Sequence, residues 1–120
     1  MKRRVLVDLN VVLDVLLDRA PYAEASAALW AAVETGEAEG LLAAHCATTL
    51  HDLASRSGGR EFGDRCVAAV LSVFTVAPLD AGVLESALAL GWSDFEDAVC
   101  AASATESGCQ FIATRDPRGF

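Results

Sequence analysis

Short apolar runs that alternate with helical segments constrain the fold of this chain most strongly. The runs are "RVLVDL", "EGLLAA", "TVAPL" and "CQFIAT", and each is separated from the next by at least one stretch with helical periodicity. Strands that alternate with helices need crossover connections and therefore form a parallel sheet. The pattern predicts a single domain over residues 1–120, of the α/β class. Its expected architecture is three-layered α/β/α, with a central, mostly parallel sheet of about four strands.

Capping signals place the helix boundaries. Asn10 is a suitable N-cap for the first helix, and Asp80 and Gly91 suit the start and the end of a later one. Ser93 and Glu96 have the spacing of a capping box. The predicted helices cover approximately residues 10–20, 21–37, 45–59, 60–74, 80–91 and 93–108. Tyr22 and Trp30 lie on one face of the second, where core packing or a partner surface would use them.

The composition excludes several classes of protein. The 120 residues are 53% hydrophobic, yet no apolar run is long enough to span a membrane. A net charge of −8 argues against nucleic-acid binding by charge alone, although Arg56, Arg60 and Arg65 could line a local phosphate-contacting rim. The four cysteines lack CxxC spacing, which favours reduced core cysteines in a cytoplasmic protein. His45 and His51 are six residues apart, and their spacing does not predict a zinc site with those cysteines.

Acidic residues gather where the predicted strands end. Asp8 ends the first strand, and Thr114 and Asp116 come just past the last. Asp94 and Asp97 lie three apart on one face of a helix start. Because parallel strands present their carboxyl ends at one edge of a sheet, we expect these side chains to converge there.

Each acid also has an ordinary structural explanation. Asp94 and Glu96 complement a helix N-terminus, and Asp116 before Pro117 suits a turn. Asp14 and Asp18 would mark a solvated helix face. Converging carboxylates, however, repel one another unless a cation is present, and oxygen ligands favour Mg²⁺ or Mn²⁺ over zinc. Such a centre suits phosphodiester hydrolysis, in which metal ions activate water and stabilise the leaving oxygen.

Three segments together resemble the PIN domain family, and within it the VapC-type toxin ribonucleases of bacterial toxin–antitoxin pairs. "VDLNVVLDVLLDR" resembles the family's D-x-N-x-x-x-D start, and "SDFEDAVCAA" its acidic helix start. "FIATRDPRGF" resembles its closing strand and T-x-[ND] loop. The resemblance implies a Mg²⁺- or Mn²⁺-dependent endoribonuclease that cleaves single-stranded RNA.

The family pattern carries over to individual positions. It implies catalytic roles for Asp8, Asp52, Asp97 and Asp116, with Asn10 and Thr114 as supporting residues. It implies a metal held by Asp8, Asp94, Asp97 and Asp116. Asp52 departs from the pattern, because "CATTLHDL" has Asp where the family usually has Glu. The shorter side chain would reach a metal directly or through water, or would only cap or pair with Arg56.

The resemblance also implies partners: an RNA substrate, a small antitoxin whose Arg- or Lys-bearing segment covers the site, and a second copy in a homodimer.

Other functions stay open. A haloacid-dehalogenase-like phosphatase would need D-x-D where this chain has "DLN", and a receiver domain would need an acidic pair and a late Lys. A PIN nuclease outside toxin–antitoxin systems fits the same residues. An inactive PIN-like binding module fits the unusual second acid and the negative charge.

Overall fold

Four parallel strands form one sheet at the centre of the protein. The computed structural model describes residues 2–114. The strands are β1 (Arg3–Val7), β2 (Ala38–Ala43), β3 (Thr75–Ala77) and β4 (Phe111–Ala113), and their order in the sheet is β3-β2-β1-β4. All three strand pairs are parallel. The predicted α/β class and the parallel four-stranded sheet are therefore confirmed.

Six helices accompany this sheet in the described part of the chain. They are α1 (Leu9–Leu16), α2 (Ala23–Glu34), α3 (Ala44–Gly58), α4 (Arg60–Val73), α5 (Ala81–Leu90) and α6 (Phe95–Glu106). Within residues 2–114, no helix combines the length and the apolarity needed to cross a membrane.

The main core lies between the sheet and its helices. Leu6, Leu13, Leu42 and Leu50 are almost completely buried there. A smaller apolar cluster joins α5 to α6 through Val83, and this cluster also includes Trp92 at its border. Residues 5–7 of β1 and 40–43 of β2 are buried, which explains why these parts of the two central strands are apolar without interruption.

Two predicted helix starts are wrong by one or two residues. The N-cap of α1 is Asp8 and not Asn10, because the Asp8 amide still completes the sheet by donating to the Ala113 carbonyl at 2.9 Å. The N-cap of α6 is Asp94 and not Ser93: its carboxylate accepts from the Asp97 amide at 3.1 Å. A charged acceptor binds a helix N-terminus at least as well as a serine hydroxyl.

The aromatic pair on the second predicted helix separates into two environments. α2 begins only at Ala23, after a turn, and Tyr22 at its start is 44% exposed. Trp30 packs edge-on against Phe74 with 5.0 Å between ring centroids. Core packing is therefore confirmed for Trp30 and not for Tyr22. The capping prediction for α5 is confirmed, with Asp80 accepting from the Val83 amide and Gly91 in the left-handed region.

Candidate active site

The carboxyl ends of the two neighbouring strands β1 and β4 bring Asp8 and Thr114 together. The two strands pair as far as Val7 and Ala113, so the residue after each strand lies at the same edge. The Asp8 side chain makes no capping hydrogen bond to α1. Its Oδ2 instead accepts a hydrogen bond from the Thr114 hydroxyl at 3.1 Å. The orientation of the Asp8 carboxylate is thus set by a residue 106 positions away in the sequence.

The start of α6 adds two further acids to this edge. Burial raises the pKa of the Asp97 carboxyl, and the nearby charges of Asp94 and Asp8 raise it further. Because the charge of Asp8 contributes to this shift in pKa, the first turn of α6 lies within electrostatic range of the end of β1. Asp94 contributes its charge while one of its oxygens caps the helix. The three carboxylates therefore lie within electrostatic range of one another, and their joint role as a site stays a prediction.

This cluster of Asp8, Asp94 and Asp97, hereafter the acid cluster, has a donor set suited to a hard cation. Within residues 2–114, no Lys, Arg or His forms an ion pair with any of the three. Like charges held together without a basic partner favour binding of a cation, and carboxylate oxygens are the preferred ligands of Mg²⁺ and Mn²⁺. The donor chemistry suits the predicted metal, and the assignment of these residues as its ligands stays a prediction.

The other predicted site residues have different surroundings. The Asp52 carboxylate, 56% exposed, forms an ion pair with Arg56 at 3.1 Å on the surface of α3. It is not among the charges that raise the pKa of Asp97. Its assignment as the second catalytic acid stays a prediction. Asp116 lies outside the described residues.

Asn10 faces Arg19 and not the acid cluster. Its side-chain oxygen and its carbonyl each accept a hydrogen bond from the Arg19 guanidinium, at 3.3 Å and 3.1 Å. The supporting role predicted for Asn10 near the metal stays a prediction, because the described contacts of its side chain are with Arg19.

Asp14 is buried, so its predicted position on a solvated helix face is wrong. Its side chain is 0% exposed. Arg19 donates to its Oδ1 through Nε at 3.0 Å and Nη2 at 2.9 Å, and the Ser26 hydroxyl donates to its Oδ2 at 3.3 Å. The acid joins α1 to α2 because an ionised side chain can be buried only when it is paired and hydrogen-bonded.

Sequence reasoning missed a second polar cluster beside the acid cluster. His45, in the first turn of α3, lies against Cys46 and against Cys100, which is one helical turn after Asp97. A hydrogen bond with Cys100 raises the pKa of His45, and the hydrogen bond with Cys46 and burial raise the pKa of the Cys100 thiol. The sequence spacing of 55 residues between His45 and Cys100 gave no signal of this contact.

The arginines of the predicted rim are already engaged. Arg56 pairs with Asp52, Arg60 lies 3.7 Å from Asp64, and Arg65 stacks over the Phe62 ring. All three belong to α3 and α4, whereas the acid cluster lies at the end of β1 and the start of α6.

The sequence and the fold of this chain were both compared with known proteins. The sequence model described as PIN domain matches residues 4–118. No curated protein is similar enough to the chain to count as a match.

Solved structures of two toxin systems share the fold. The toxin VapC20 of Mycobacterium tuberculosis, described as cleaving the sarcin–ricin loop, superposes with a TM-score of 0.78 at 19% identity, over 96% of this chain and 92% of that one. VapBC2 of Rickettsia felis, solved with a DNA fragment from its promoter, gives a TM-score of 0.70 at 12% identity, over 96% and 89%. At such low identity these likenesses concern the fold alone. The family match, which covers almost the whole chain, shows that the protein belongs to the PIN domain family.

Proposed function

We propose that this protein is a metal-dependent endoribonuclease that hydrolyses phosphodiester bonds of single-stranded RNA, and that it is the toxin of a bacterial toxin–antitoxin pair. The observation that carries the proposal is the acid cluster at the carboxyl edge of the sheet. There Thr114 orients Asp8, and the charge of Asp8 helps to raise the pKa of Asp97. Membership of the PIN family and the fold shared with VapC20 support it.

Each residue of the cluster has a distinct task in this proposal. Asp8 and Asp97 would hold Mg²⁺ or Mn²⁺, with Asp94 and Asp116 completing the set. When bound, the metal supplies an activated water and stabilises the leaving oxygen. Thr114 fixes one oxygen of Asp8 by its hydrogen bond and thereby directs the other oxygen. Asp94 holds the start of α6, and hence Asp97, in place through its cap.

The proposed partners follow from the same negative edge. An RNA phosphate can approach it only after metal binding has neutralised the carboxylates. An antitoxin segment that carries Arg or Lys would neutralise them instead and so block the site. The structure of VapBC2 supports an antitoxin for a protein of this fold. Homodimerisation and a cytoplasmic location belong to this proposal as well.

The test is cleavage of a pool of single-stranded RNAs with Mn²⁺, with Mg²⁺ and with EDTA. We expect metal-dependent cleavage by the wild-type protein and none by Asp8→Asn or Asp97→Asn. Asp64→Asn, which removes an exposed acid of α4 that is paired with His51, is the matched control and should cleave normally. Asp52→Ala shows whether the second acid acts. A mass measurement of the purified protein excludes a bound antitoxin.

The toxin role is tested separately in a bacterial host. Induced expression of the wild-type chain should arrest growth, and expression of Asp8→Asn should not.

A specific observation favours one alternative function, an inactive PIN-like binding module. The Asp52 carboxylate is bound to Arg56, away from the charges acting on Asp97. If the folded, antitoxin-free protein shows no cleavage above the Asp8→Asn background with either metal, the binding module replaces the nuclease.

A further inference from the structure

The cluster of His45, Cys46 and Cys100 has the dimensions of a metal site. The His45 Nε2 lies 3.8 Å from the Cys46 sulfur and 3.7 Å from the Cys100 sulfur. One ligand atom from each of the three residues lies within 4.8 Å of the other two. In a tetrahedral zinc site, bonds of about 2.3 Å to sulfur and 2.0 Å to nitrogen place the sulfur and nitrogen atoms about 3.5 Å apart. The two sulfur–nitrogen separations, 3.8 Å and 3.7 Å, exceed this value by only about 0.2–0.3 Å.

Packing alone accounts poorly for the position of the His45 ring. Its only hydrogen-bond partners among residues 2–114 are the two sulfurs, which are weak partners. Its Nδ1 is buried and has no hydrogen-bond partner in that part of the chain. The cysteines themselves are 1% and 5% exposed within an otherwise apolar core. Nε2 thus points at two buried sulfurs.

The donor chemistry separates this cluster from the acid cluster nearby. Two thiol sulfurs and an imidazole nitrogen select zinc and other thiophilic ions, whereas carboxylates select magnesium and manganese. The ligands belong to regular secondary structure: His45 and Cys46 stand at the start of α3, directly after β2, and Cys100 is in the middle of α6. Ligands on well-packed elements need little rearrangement to bind an ion.

We propose that His45, Cys46 and Cys100 form a Zn²⁺ site distinct from the acid cluster. Three protein ligands leave the fourth position open, and among the three residues His45 alone is not fully buried. A bound ion would cross-link the start of α3 to α6. Because Cys100 is three residues after Asp97, the cross-link would stabilise the helix that carries Asp97.

The experiment uses Co²⁺ as a spectroscopic substitute for Zn²⁺ on the fully reduced, metal-free protein. We expect one equivalent of Co²⁺ to produce a sulfur-to-cobalt charge-transfer band and the intense visible bands of a tetrahedral ion, and Zn²⁺ to displace it. Cys100→Ser and His45→Gln should each lower the affinity by at least about 100-fold, more than the loss of a merely supporting contact costs.

Two control variants locate the ion. Cys109→Ser removes the half-buried thiol outside the cluster, and Asp8→Asn impairs the acid cluster; both should retain the charge-transfer band. Zn²⁺ should also raise the unfolding temperature of the wild-type protein and of both controls, and not that of Cys100→Ser. Circular dichroism establishes that each variant is folded.

The measurement on the wild-type protein decides the matter even if a variant fails to fold. Absence of a charge-transfer band, in protein whose four thiols are all titratable, would overturn the proposal. So would a band that persists unchanged in folded Cys100→Ser. Neither outcome bears on RNA cleavage, which depends on the acid cluster.

Discussion

The buried ion pair between Asp14 and Arg19 allows a quantitative test of the reasoning about α1. Arg19→Met keeps the apolar stem of the side chain and removes the guanidinium, which contacts Asp14 through two nitrogens at 3.0 Å and 2.9 Å. The carboxylate, 0% exposed, then loses its charged partner. Removing one member of a buried pair costs about 3–5 kcal/mol, and we expect the lower end, about 3 kcal/mol, because Arg19 is itself one-third exposed.

Urea unfolding followed by tryptophan fluorescence measures this loss. A loss of about 3 kcal/mol in a chain of this size corresponds to a decrease of about 12 °C in unfolding temperature. Arg56→Met is the matched control, because it removes an arginine from the exposed pair with Asp52 and should cost about 0.5 kcal/mol or less. Asp14→Leu combined with Arg19→Met should restore much of the stability, since no buried charge remains. Equal losses in the two arginine variants would refute the reasoning from burial.

Three further predictions concern the site and the sheet. Thr114→Val removes the hydrogen bond to Asp8 and should lower the cleavage rate by about tenfold, the effect of a misdirected ligand, with RNA affinity unchanged in a filter-binding assay. Because the folded-state pKa of Asp97 is raised, its ionisation destabilises the metal-free protein: stability falls as the pH rises from the ordinary carboxyl pKa through the raised one. In EDTA, Asp97→Asn should therefore be more stable than wild type at pH 7, and the difference should vanish at acidic pH, as read from urea midpoints. Gly40→Ala places a Cβ 2.8 Å from the Phe74 ring and should lower the free energy of unfolding by about 1–3 kcal/mol, which calorimetry would show.

The acids of the opening motif show how one short segment serves two purposes. Asp8 is left out of the helix cap and turned toward Thr114, at the edge of the sheet. Asp14, six residues later, points into the protein and binds Arg19 and Ser26. We therefore expect variants of Asp8 to lose cleavage with little loss of stability, and variants of Asp14 to lose stability.

Much of the fold follows from local sequence signals. β3 and β4 lie within predicted apolar runs, and β1 and β2 each begin one residue before theirs. The helix α5 begins after Asp80 and ends before Gly91 because capping and left-handed conformations depend on the residue itself. The placement of Asp8 and Thr114 directly after strands was visible for the same reason. The helix starts at Asp8 and Asp94 were missed because several neighbouring residues could serve as caps, and tertiary contacts select among them.

The sequence by itself determined which residues end strands and begin helices, and hence that acids would meet at one edge of a parallel sheet. Only the tertiary structure decided which of the polar side chains form ion pairs or hydrogen bonds with other residues. Asp52 lies with Arg56 on the surface, Asp14 lies buried with Arg19, and His45 meets Cys100 across 55 residues. Periodicity and capping are local properties of the chain, whereas the environment of a charge or a thiol depends on what distant segments pack against it.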